Sequence, residues 1–296
     1  MIGAGLAGGI GMGTILVRYA ELGLKGRGAR RRFESILVSN IMTALAVAGL
    51  EGLVATEHGR IFVQVAEEGR ALTALARVFG VSSLSSVQVC GSGMEDMRQA
   101  VSSFSLPLLS EGQSFAVRAR RTGDQPYTSV DMGRELGAAV LRANQTRSVR
   151  VDLTDPDVEI FVEARSNRAY IFSGQVPGPG GLPLGSQGRV LALLAEERDA
   201  LAAWLIMKRG CRAIAVGEEG SPAVRTLRAW DPELKVLPPQ EVGPALRRHR
   251  ALAAVYGYTL AQFHRIKEVD PGMPAFFPLV GLQEKEIEER LAGLRA

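Results

Sequence analysis

The sequence predicts a mixed α/β protein of two or three domains, with an α+β N-terminal part and a parallel-sheet C-terminal part. Its 296 residues exceed one average domain, and a hydrophobic fraction of 46% is enough to form packed cores. Near the N-terminus, short strands and helices follow a βαββαβ order. In the last third of the chain, strands and helices alternate regularly, which is typical of a parallel sheet.

The N-terminal unit is predicted from hydrophobic periodicity. A short strand at Thr14–Arg18 precedes a helix at Arg30–Ala48, whose apolar side chains recur at helical spacing. A hairpin, a helix at Gly69–Phe79 and a strand at Ser85–Cys90 complete the βαββαβ order, which predicts a ferredoxin-like domain over residues 13–71. The hairpin strands are Leu53–Thr56 and Arg60–Val65, and the apolar positions of the first helix are Phe33, Ile36, Leu37, Ile41 and Leu45.

The middle of the chain continues with helix and strand patterns, and residues 72–175 are assigned to a second domain. Ser129 is the expected N-cap of the longest helix there, because a hydroxyl at that position accepts a backbone N–H. The predicted elements are, in order, helix Met94–Phe104, strand Ser114–Arg120, helix Ser129–Ala143 and strands Val158–Ala164 and Arg168–Phe172.

The C-terminal part begins after a stretch rich in glycine and proline. Ser173–Gly188 has the composition of a linker or a long structured loop, and we place the linker at 176–188. Residues 189–296 then alternate strands with helices, which predicts a Rossmann-like parallel sheet. The predicted elements are strand Val190–Leu194, helix Glu196–Lys208, strand Arg212–Val216, helix Pro222–Ala229, strand Lys235–Leu237 and a last helix at Gln283–Leu294.

Composition disfavours several functional classes. No run approaches 18 apolar residues, so no transmembrane helix and no membrane partner are expected. Residues 1–12 are rich in glycine and lack the basic region of a signal peptide, so we interpret them as a disordered leader or as a mis-assigned start before Met12. Cys90 and Cys211 form no CxxC pair, which fits a reduced, cytoplasmic setting. Cys211 opens an apolar strand, which favours a core thiol over a persulfide carrier.

Three clusters of basic residues are candidates for phosphate binding in a chain of net charge +4. The first contains Lys25 and Arg27 at a loop-to-helix junction, where phosphate binding and a solvated helix start are equally good interpretations. In the second, Arg118 and Arg120 share one face of a predicted strand, and Arg121 follows where the chain leaves it. Two guanidinium groups on one sheet face fit a phosphate track, and a solvated strand end is the alternative. The third cluster, interpreted as surface, is Arg247, Arg248, His249 and Arg250.

Several segments, in order along nearly the whole chain, resemble the tRNA 4-thiouridine synthetases. Gly180–Val190 is similar to the approach to the ATP-binding loop of that family, and Met207–Gly210 is similar to the end of the helix that follows the loop. The other matching segments are Arg18–Gly26, Val78–Ser83, Phe115–Arg121, Pro156–Glu163, Ala169–Phe172, Gly257–Gln262 and Phe277–Leu282.

The resemblance implies three domains: a ferredoxin-like domain, a THUMP domain that grips the 3′ acceptor end of tRNA, and an ATP-pyrophosphatase domain. It makes tRNA the expected partner, with Lys25, Arg27, Arg118, Arg120 and Arg121 as the expected RNA-binding residues. Members of this family often form dimers, so the resemblance also implies a homodimer.

The ATP loop is where this chain departs from the family pattern. After Leu193-Leu194 the family carries Ser-Gly-Gly-x-Asp-Ser, whereas this chain continues Ala-Glu-Glu-Arg-Asp-Ala, and one deletion is needed to align the helix beyond. Glycines let a backbone wrap a phosphate and present its N–H groups, and the helix N-terminus adds positive potential. Both glycines and both serines are absent here. We expect Glu196 and Glu197 to fill this anion niche, and the alternatives are an exposed polar first turn or a metal held together with Asp199.

The leading hypothesis is a cytoplasmic tRNA-binding protein that grips the acceptor end through its THUMP domain without ATP-dependent adenylation and without a cofactor. A shortened segment between Val216 and Gly257, which lacks cysteine, removes a second part of the family's chemistry. One alternative is an active tRNA sulfurtransferase with an unusual loop, in which Leu193, Leu194 and Gly257 line a site for ATP and Mg and a separate protein donates sulfur. Another alternative is a non-catalytic assembly partner of an active synthetase.

Overall fold

The structure, a computed structural model, describes residues 12–19, 27–57, 59–239, 249–269 and 272–295. The chain forms two compact units, each assembled from separate stretches of sequence. The first unit combines the chain up to Val17 with Glu51–Leu72 and Leu84–Val176, and the second combines Arg18–Leu50, Thr73–Ser83 and Pro177–Ala296. The predicted leader before Met12 and the candidate residue Lys25 lie outside the described residues.

Nine described strands of the first unit form one sheet. They are β1 (Gly13–Arg18), β2 (Gly52–Glu57), β3 (Arg60–Val65), β4 (Ser83–Gly91), β5 (Ser114–Thr122), β6 (Arg150–Val151), β7 (Val158–Arg165), β8 (Arg168–Phe172) and β9 (Val176–Pro177). Eight of them follow the order β2-β3-β1-β4-β8-β7-β5-β6, and β9 pairs with β4. The order β2-β3-β1-β4 is that of a βαββαβ unit, which confirms the predicted ferredoxin-like architecture.

The described helices have the bounds α1 (Arg27–Val47), α2 (Glu68–Leu75), α3 (Met94–Ser105), α4 (Ser129–Ala143), α5 (Arg198–Lys208), α6 (Pro222–Arg228), α7 (Phe263–Glu268) and α8 (Glu284–Arg295). None of these helices is long and apolar enough to cross a bilayer. In the first unit, Met97 of α3 and Leu136 of α4 pack with Phe115 and Ile160 in one buried core. These two helices therefore cover one face of the sheet.

The N-cap of α4 is Thr128, whereas the sequence predicts Ser129. Thr128 has extended backbone angles, and its side chain accepts the backbone N–H of Asp131 at 3.1 Å. The Asp131 carboxylate in turn accepts the backbone N–H of Thr128 at 3.0 Å, which completes a reciprocal cap. Ser129 is already the first helical residue, so its hydroxyl is one position too late to cap.

The face of the sheet opposite α3 and α4 is concave. Phe62 on β3 and Tyr170 on β8 stack with ring centroids 4.6 Å apart, although β1 and β4 lie between their strands. Because adjacent strands are about 4.8 Å apart, a flat sheet would hold these rings ~14 Å apart. The Tyr170 hydroxyl also donates to Glu57 on β2 at 3.4 Å, and burial raises the pKa of Tyr170 to about 12. The sheet therefore curls around an apolar interior that includes Leu16 and Phe172.

The second unit contains a parallel sheet of five described strands. They are β10 (Arg189–Leu194), β11 (Arg212–Gly217), β12 (Lys235–Leu237), β13 (Ala254–Val255) and β14 (Ala275–Phe276). Their order, β12-β11-β10-β13-β14, is that of a doubly wound sheet, which confirms the predicted Rossmann-like architecture. The strand order reverses between β10 and β13, and ligands of such sheets bind beside this switch point at the carboxyl ends of the strands.

Tertiary packing moves one predicted helix end in the second unit. The helix expected to reach Phe79 stops at Leu75, because Phe79 is needed in the core, where its ring lies 5.6 Å from those of Trp204 and Trp230. Gly80 then adopts a φ of +98° and donates its N–H to the carbonyl of Gly180 at 2.8 Å. A positive φ of this kind is open to glycine, which has no Cβ.

Candidate functional site

A groove of about 910 Å³ runs along one edge of the first unit's sheet, between α4 and β5. Among the described strands, β6 covers this edge of β5 only at Ser114 and Phe115. The remainder of the strand therefore presents unpaired backbone groups, as edge strands do. A ligand lying in the groove would meet both these backbone groups and the neighbouring side chains.

The start of β5 is held in place by a carboxylate. Asp157, just before β7, accepts the backbone N–H of Ser114 at 2.7 Å and the Ser114 hydroxyl at 2.6 Å through the same oxygen. The Ser114 hydroxyl oxygen accepts the backbone N–H of Asp157 at 3.0 Å. These hydrogen bonds from Ser114 lower the pKa of Asp157, because they favour the charged carboxylate. This closed pair of Asp157 and Ser114 lies at the start of the two strands and adds to the eight backbone pairings that set the register of β5 against β7.

The charged side chains of the groove are three arginines and one glutamate. Arg118 donates from Nε to Glu159 Oε1 at 2.6 Å, and Arg134 lies 3.4 Å from the carboxylate of Asp131. The Arg120 side chain makes no ion pair or hydrogen bond with any residue that the structure describes. Arg118 and Arg134 are thus paired with carboxylates, and Arg120 is the arginine of the groove that is available to an anionic ligand.

Small residues of α4 open the groove between these charges. Gly133 and Gly137 line it one helical turn apart, and a side chain added at Gly137 would meet no atom within 4 Å. Val130 and Leu153 lie at its margin with 78% and 66% of their surface exposed. An apolar surface beside guanidinium groups can contact both the bases and the phosphates of a single strand.

The predicted RNA-binding residues are placed unequally. Arg118 and Arg120 line the same groove, on one face of β5, as their spacing predicts. Arg121 points to the other face, and its guanidinium donates to the carbonyl of Gly123 at 2.8 Å. Arg27 is the first residue of α1, and its side chain is outside the described part of the chain, as is all of Lys25.

At the switch point of the second unit, the niche beside β10 contains an aspartate from the chain itself. Asp199, in the first turn of α5 and only 7% exposed, accepts the backbone N–H groups of Ala195 at 2.8 Å and Glu196 at 2.7 Å. Its other carboxylate oxygen accepts the N–H of Gly257, after β13, at 3.0 Å. Burial raises the pKa of the Asp199 carboxyl, and the three backbone donors oppose that rise.

The residue in the niche is thus Asp199, and the expectation that Glu196 and Glu197 fill it is wrong. Both glutamates are exposed: Glu196 lies 3.0 Å from Arg198 and Glu197 lies 2.5 Å from Arg295. The physical reason is that α5 starts at Arg198, two residues later than predicted, so the glutamates precede the helix and point to solvent. The three carboxylates have three different sets of partners and do not converge on one point.

The spacing of the loop contains a signal for Asp199 that pattern analysis missed. In the sequence Leu-Leu-Ser-Gly-Gly-x-Asp-Ser the aspartate is the fifth residue after the second leucine, and Asp199 is the fifth residue after Leu194. Counted without a gap from the second leucine, Asp199 therefore stands where the motif has its aspartate.

Of the residues predicted to line a nucleotide site, Gly257 contacts Asp199 directly. Leu193 and Leu194 end β10, with Leu194 packed in the core and Leu193 half-buried beside Leu191 and its neighbours. Gly257 approaches so closely that a Cβ there would lie 2.2 Å from an Asp199 oxygen. The absence of a side chain at Gly257 therefore permits the contact with Asp199.

Neither cysteine has the environment of a reactive thiolate. Burial raises the pKa of the Cys90 thiol to about 11 and also raises the pKa of Cys211. The thiolate is the nucleophilic form of cysteine, so a raised pKa lowers reactivity at neutral pH. The Cys211 sulfur has one weak contact, to the carbonyl of Gln187 at 3.8 Å, which agrees with a structural thiol at the start of β11.

Family models match two adjacent parts of the chain. Residues 14–85 match the ThiI ferredoxin-like domain, and residues 92–173 match the THUMP domain. The second match contains β5, α4 and every residue of the groove described above.

Curated relatives extend the similarity into the second unit. A probable tRNA sulfurtransferase of Methanosarcina acetivorans is 40% identical over 235 residues, covering 74% of this chain and 57% of the relative. One from Thermococcus kodakarensis is 34% identical over 279 residues, covering 87% of this chain and 72% of the relative. For five such relatives the match covers only about half of the relative's own length, between 53% and 58%.

Solved structures share the fold over almost the whole chain. A crystal structure from Pyrococcus horikoshii is 28% identical with a TM-score of 0.81, covering 96% of this chain and 100% of the other. A 4-thiouridine synthetase crystallised with RNA and bound ATP has a TM-score of 0.76 at 23% identity, covering 96% of this chain and 85% of that one. At that identity the match shows a common fold.

Proposed function

Because the chain belongs to the tRNA sulfurtransferase family, we propose that it binds tRNA and holds the acceptor end in the groove between α4 and β5. The observation that carries this proposal is the unpaired edge of β5 flanked by Arg118 and Arg120. The 3′ end of tRNA is single-stranded, so its bases are free to lie on the apolar margin at Val130 and Leu153. Its phosphates can then pair with the arginines, which supply planar bidentate donors.

The proposal also holds that the second unit does not activate RNA with ATP. A phosphate at the switch point would need the backbone N–H groups of Ala195, Glu196 and Gly257, and all three already donate to Asp199. A phosphate approaching the Asp199 carboxylate to ~4 Å would meet a repulsion of about 4 kcal/mol at an effective dielectric of 20. That energy corresponds to roughly a thousandfold loss of affinity, so the residues present do not fit a nucleotide triphosphate.

The acceptor-end proposal is tested with tRNA carrying an intact 3′ end and with the same tRNA after that end is trimmed. We expect tighter binding of the intact form at both a low and a high salt concentration, because base contacts in the groove persist when phosphate contacts are screened. If the two forms bind equally and salt steeply weakens both, the protein binds tRNA only through its basic surface. That outcome would reject acceptor-end recognition.

A second candidate function is an active tRNA sulfurtransferase, which the motif position of Asp199 and the adjacent Gly257 favour. This candidate requires ATP with Mg, a sulfur-donor protein and release of pyrophosphate in the presence of tRNA. Pyrophosphate release that depends on tRNA would support it, and calorimetry showing no ATP binding at millimolar nucleotide would exclude it. A homodimer or a complex with an active synthetase is compatible with either function. Sedimentation with and without tRNA tests whether the homodimer forms.

A further inference from the structure

A second basic cavity, of about 460 Å³, lies in the second unit where the strands of its parallel sheet begin. Arg189 opens β10, Arg212 opens β11, and Arg250 precedes β13, so the three guanidinium groups line one edge of the sheet. Ser39 and Asn40 of α1 complete the wall. The cavity is distinct from the niche of Asp199, because β10 spans six residues and its two ends are about 17 Å apart.

Two of these arginines have no counter-ion among the residues that the structure describes. Within the described residues, Arg189 and Arg250 are exposed and make no ion pair or side-chain hydrogen bond. Arg212 is engaged, with Nη1 at 2.9 Å from Glu233 and Nε at 3.6 Å from the buried Asp231. No carboxylate is among the described residues that line the cavity, and Arg212 is paired with carboxylates outside it, so Arg189 and Arg250 supply the positive charge available to a ligand.

The backbone around the cavity is also unusual. Arg250 has a φ of +50°, a left-handed conformation that few non-glycine residues adopt, and it is held there beside the wall formed by Leu252. Gly188 has a φ of +91°, and a Cβ at that position would lie 2.7 Å from a methyl group of Leu252. Gly188 adopts its positive φ without strain, whereas a non-glycine residue such as Arg250 keeps one only where the surrounding structure fixes it, and such residues cluster at functional sites.

Neutral donors are available beside the charges. The Ser39 side chain has no hydrogen-bond partner within the described residues and lines the cavity. Asn40 donates from Nδ2 to the carbonyl of Leu184 at 3.1 Å, which fixes its amide at the cavity wall. A hydroxyl donor next to two free guanidinium groups is a donor set for a phosphate group.

We propose that this cavity binds a backbone phosphate of tRNA, as a second RNA contact separate from the groove of the first unit. The ligand class rests on the proposed function, which supplies RNA as the source of phosphate. A free phosphate ion has the same chemistry, so the test must distinguish the two sources.

The experiment uses the full chain and tRNA whose 3′ end has been trimmed, so that contacts of the acceptor end do not contribute. The test variant is Arg189→Gln with Arg250→Gln, and the charge-matched control is Arg225→Gln with Arg290→Gln, which alters two exposed arginines on α6 and α8, outside the cavity. We expect the test variant to lower the slope of log affinity against log salt by about 0.7–0.9 per lost phosphate contact, while the control leaves it unchanged. A second variant, Ser39→Asp, places a negative charge in the cavity and should weaken binding in the same direction.

Two results would overturn the inference. One is an unchanged salt slope in both cavity variants when thermal unfolding shows that they are folded. The other is a double variant that no longer binds inorganic phosphate in calorimetry but still binds tRNA with the wild-type affinity. That result would show that the cavity binds a free anion and does not contact RNA. If the preference for an intact 3′ end persists in either case, the groove proposal stands and only this inference fails.

Discussion

The Asp199 carboxylate accepts the backbone N–H of Gly257 at 3.0 Å, and this bond joins the loop after β10 to the loop after β13 across the switch point of the parallel sheet. With the N–H groups of Ala195 and Glu196, it gives one carboxylate three backbone donors. Asp199 thus lies at the position at which doubly wound sheets bind their ligands, and it joins the two loops there through backbone hydrogen bonds.

This contact predicts a large loss of stability in Asp199→Asn. An amide has one acceptor oxygen and an NH₂ group, so it cannot accept three N–H bonds and would place a donor against a donor. Leaving buried donors unpaired costs 1–3 kcal/mol each, so we expect the free energy of unfolding in urea to fall by about 3 kcal/mol.

The matched control for Asp199→Asn is Glu196→Gln, which neutralises an exposed carboxylate in the same loop. Substitutions at exposed positions usually change stability by about 0.5 kcal/mol or less. Equal effects of the two substitutions would contradict the assignment of Asp199 as the residue that holds the loops together.

Two substitutions at Gly137 are expected to have different effects, one on the stability of α4 and one on tRNA binding in the groove. Gly137→Ala should stabilise the protein by about 0.5–1 kcal/mol, because alanine is the better helix former and the added methyl group meets no atom within 4 Å. Gly137→Leu should fill the groove and weaken binding of tRNA with an intact 3′ end roughly tenfold, the cost of about one stacked base. Gly293→Leu on α8, also with open space around it, is the control for tRNA binding. If Gly137→Leu bound tRNA as tightly as the wild type, the groove would not be the acceptor-end site.

Arg118 and Arg120 are expected to contribute to the salt dependence of tRNA binding. Alanine at both positions should lower the slope of log affinity against log salt by about 1.5 units in all, if each arginine contacts one phosphate. Arg121→Ala is the natural control, since this neighbour lies on the other face of β5 and is bound to the carbonyl of Gly123. Filter binding at four or five salt concentrations measures both slopes, and equal slopes in the double variant and the control would reject the phosphate track.

The closed pair of Asp157 and Ser114 makes the first unit sensitive to acid. The folded-state pKa of Asp157 lies below its ordinary value of 3.8, so its contribution to stability is fully present above that value and is lost as pH falls through the folded pKa. Unfolding measured between about pH 5 and pH 2 should therefore show a smaller loss of stability in Asp157→Asn than in the wild type. A steeper acid response in the variant would mean that another carboxylate dominates.

Much of the architecture follows from local sequence patterns. The helical spacing of four apolar residues places their side chains on the buried face of α1; they are Phe33, Leu37, Ile41 and Leu45. The alternation of strands and helices after Arg189 likewise predicts the parallel sheet. Arg118 and Arg120 line one groove because a two-residue period places them on one face of β5. These features depend on neighbours along the chain, so periodicity is sufficient to predict them.

The sequence by itself thus determined the fold class and the family, while the tertiary structure decided the complete strand order and what occupies each site. Asp199 and Gly257 are 58 residues apart, and only the strand order of the sheet brings them together. The groove is open in the same way because β6 ends after two residues. The cavity at Arg189 and Arg250 forms because β10 and β13 start at the same edge of the sheet. Contacts of this kind are set by long-range packing, which overrides the local preference that placed Glu196 and Glu197 at the start of α5.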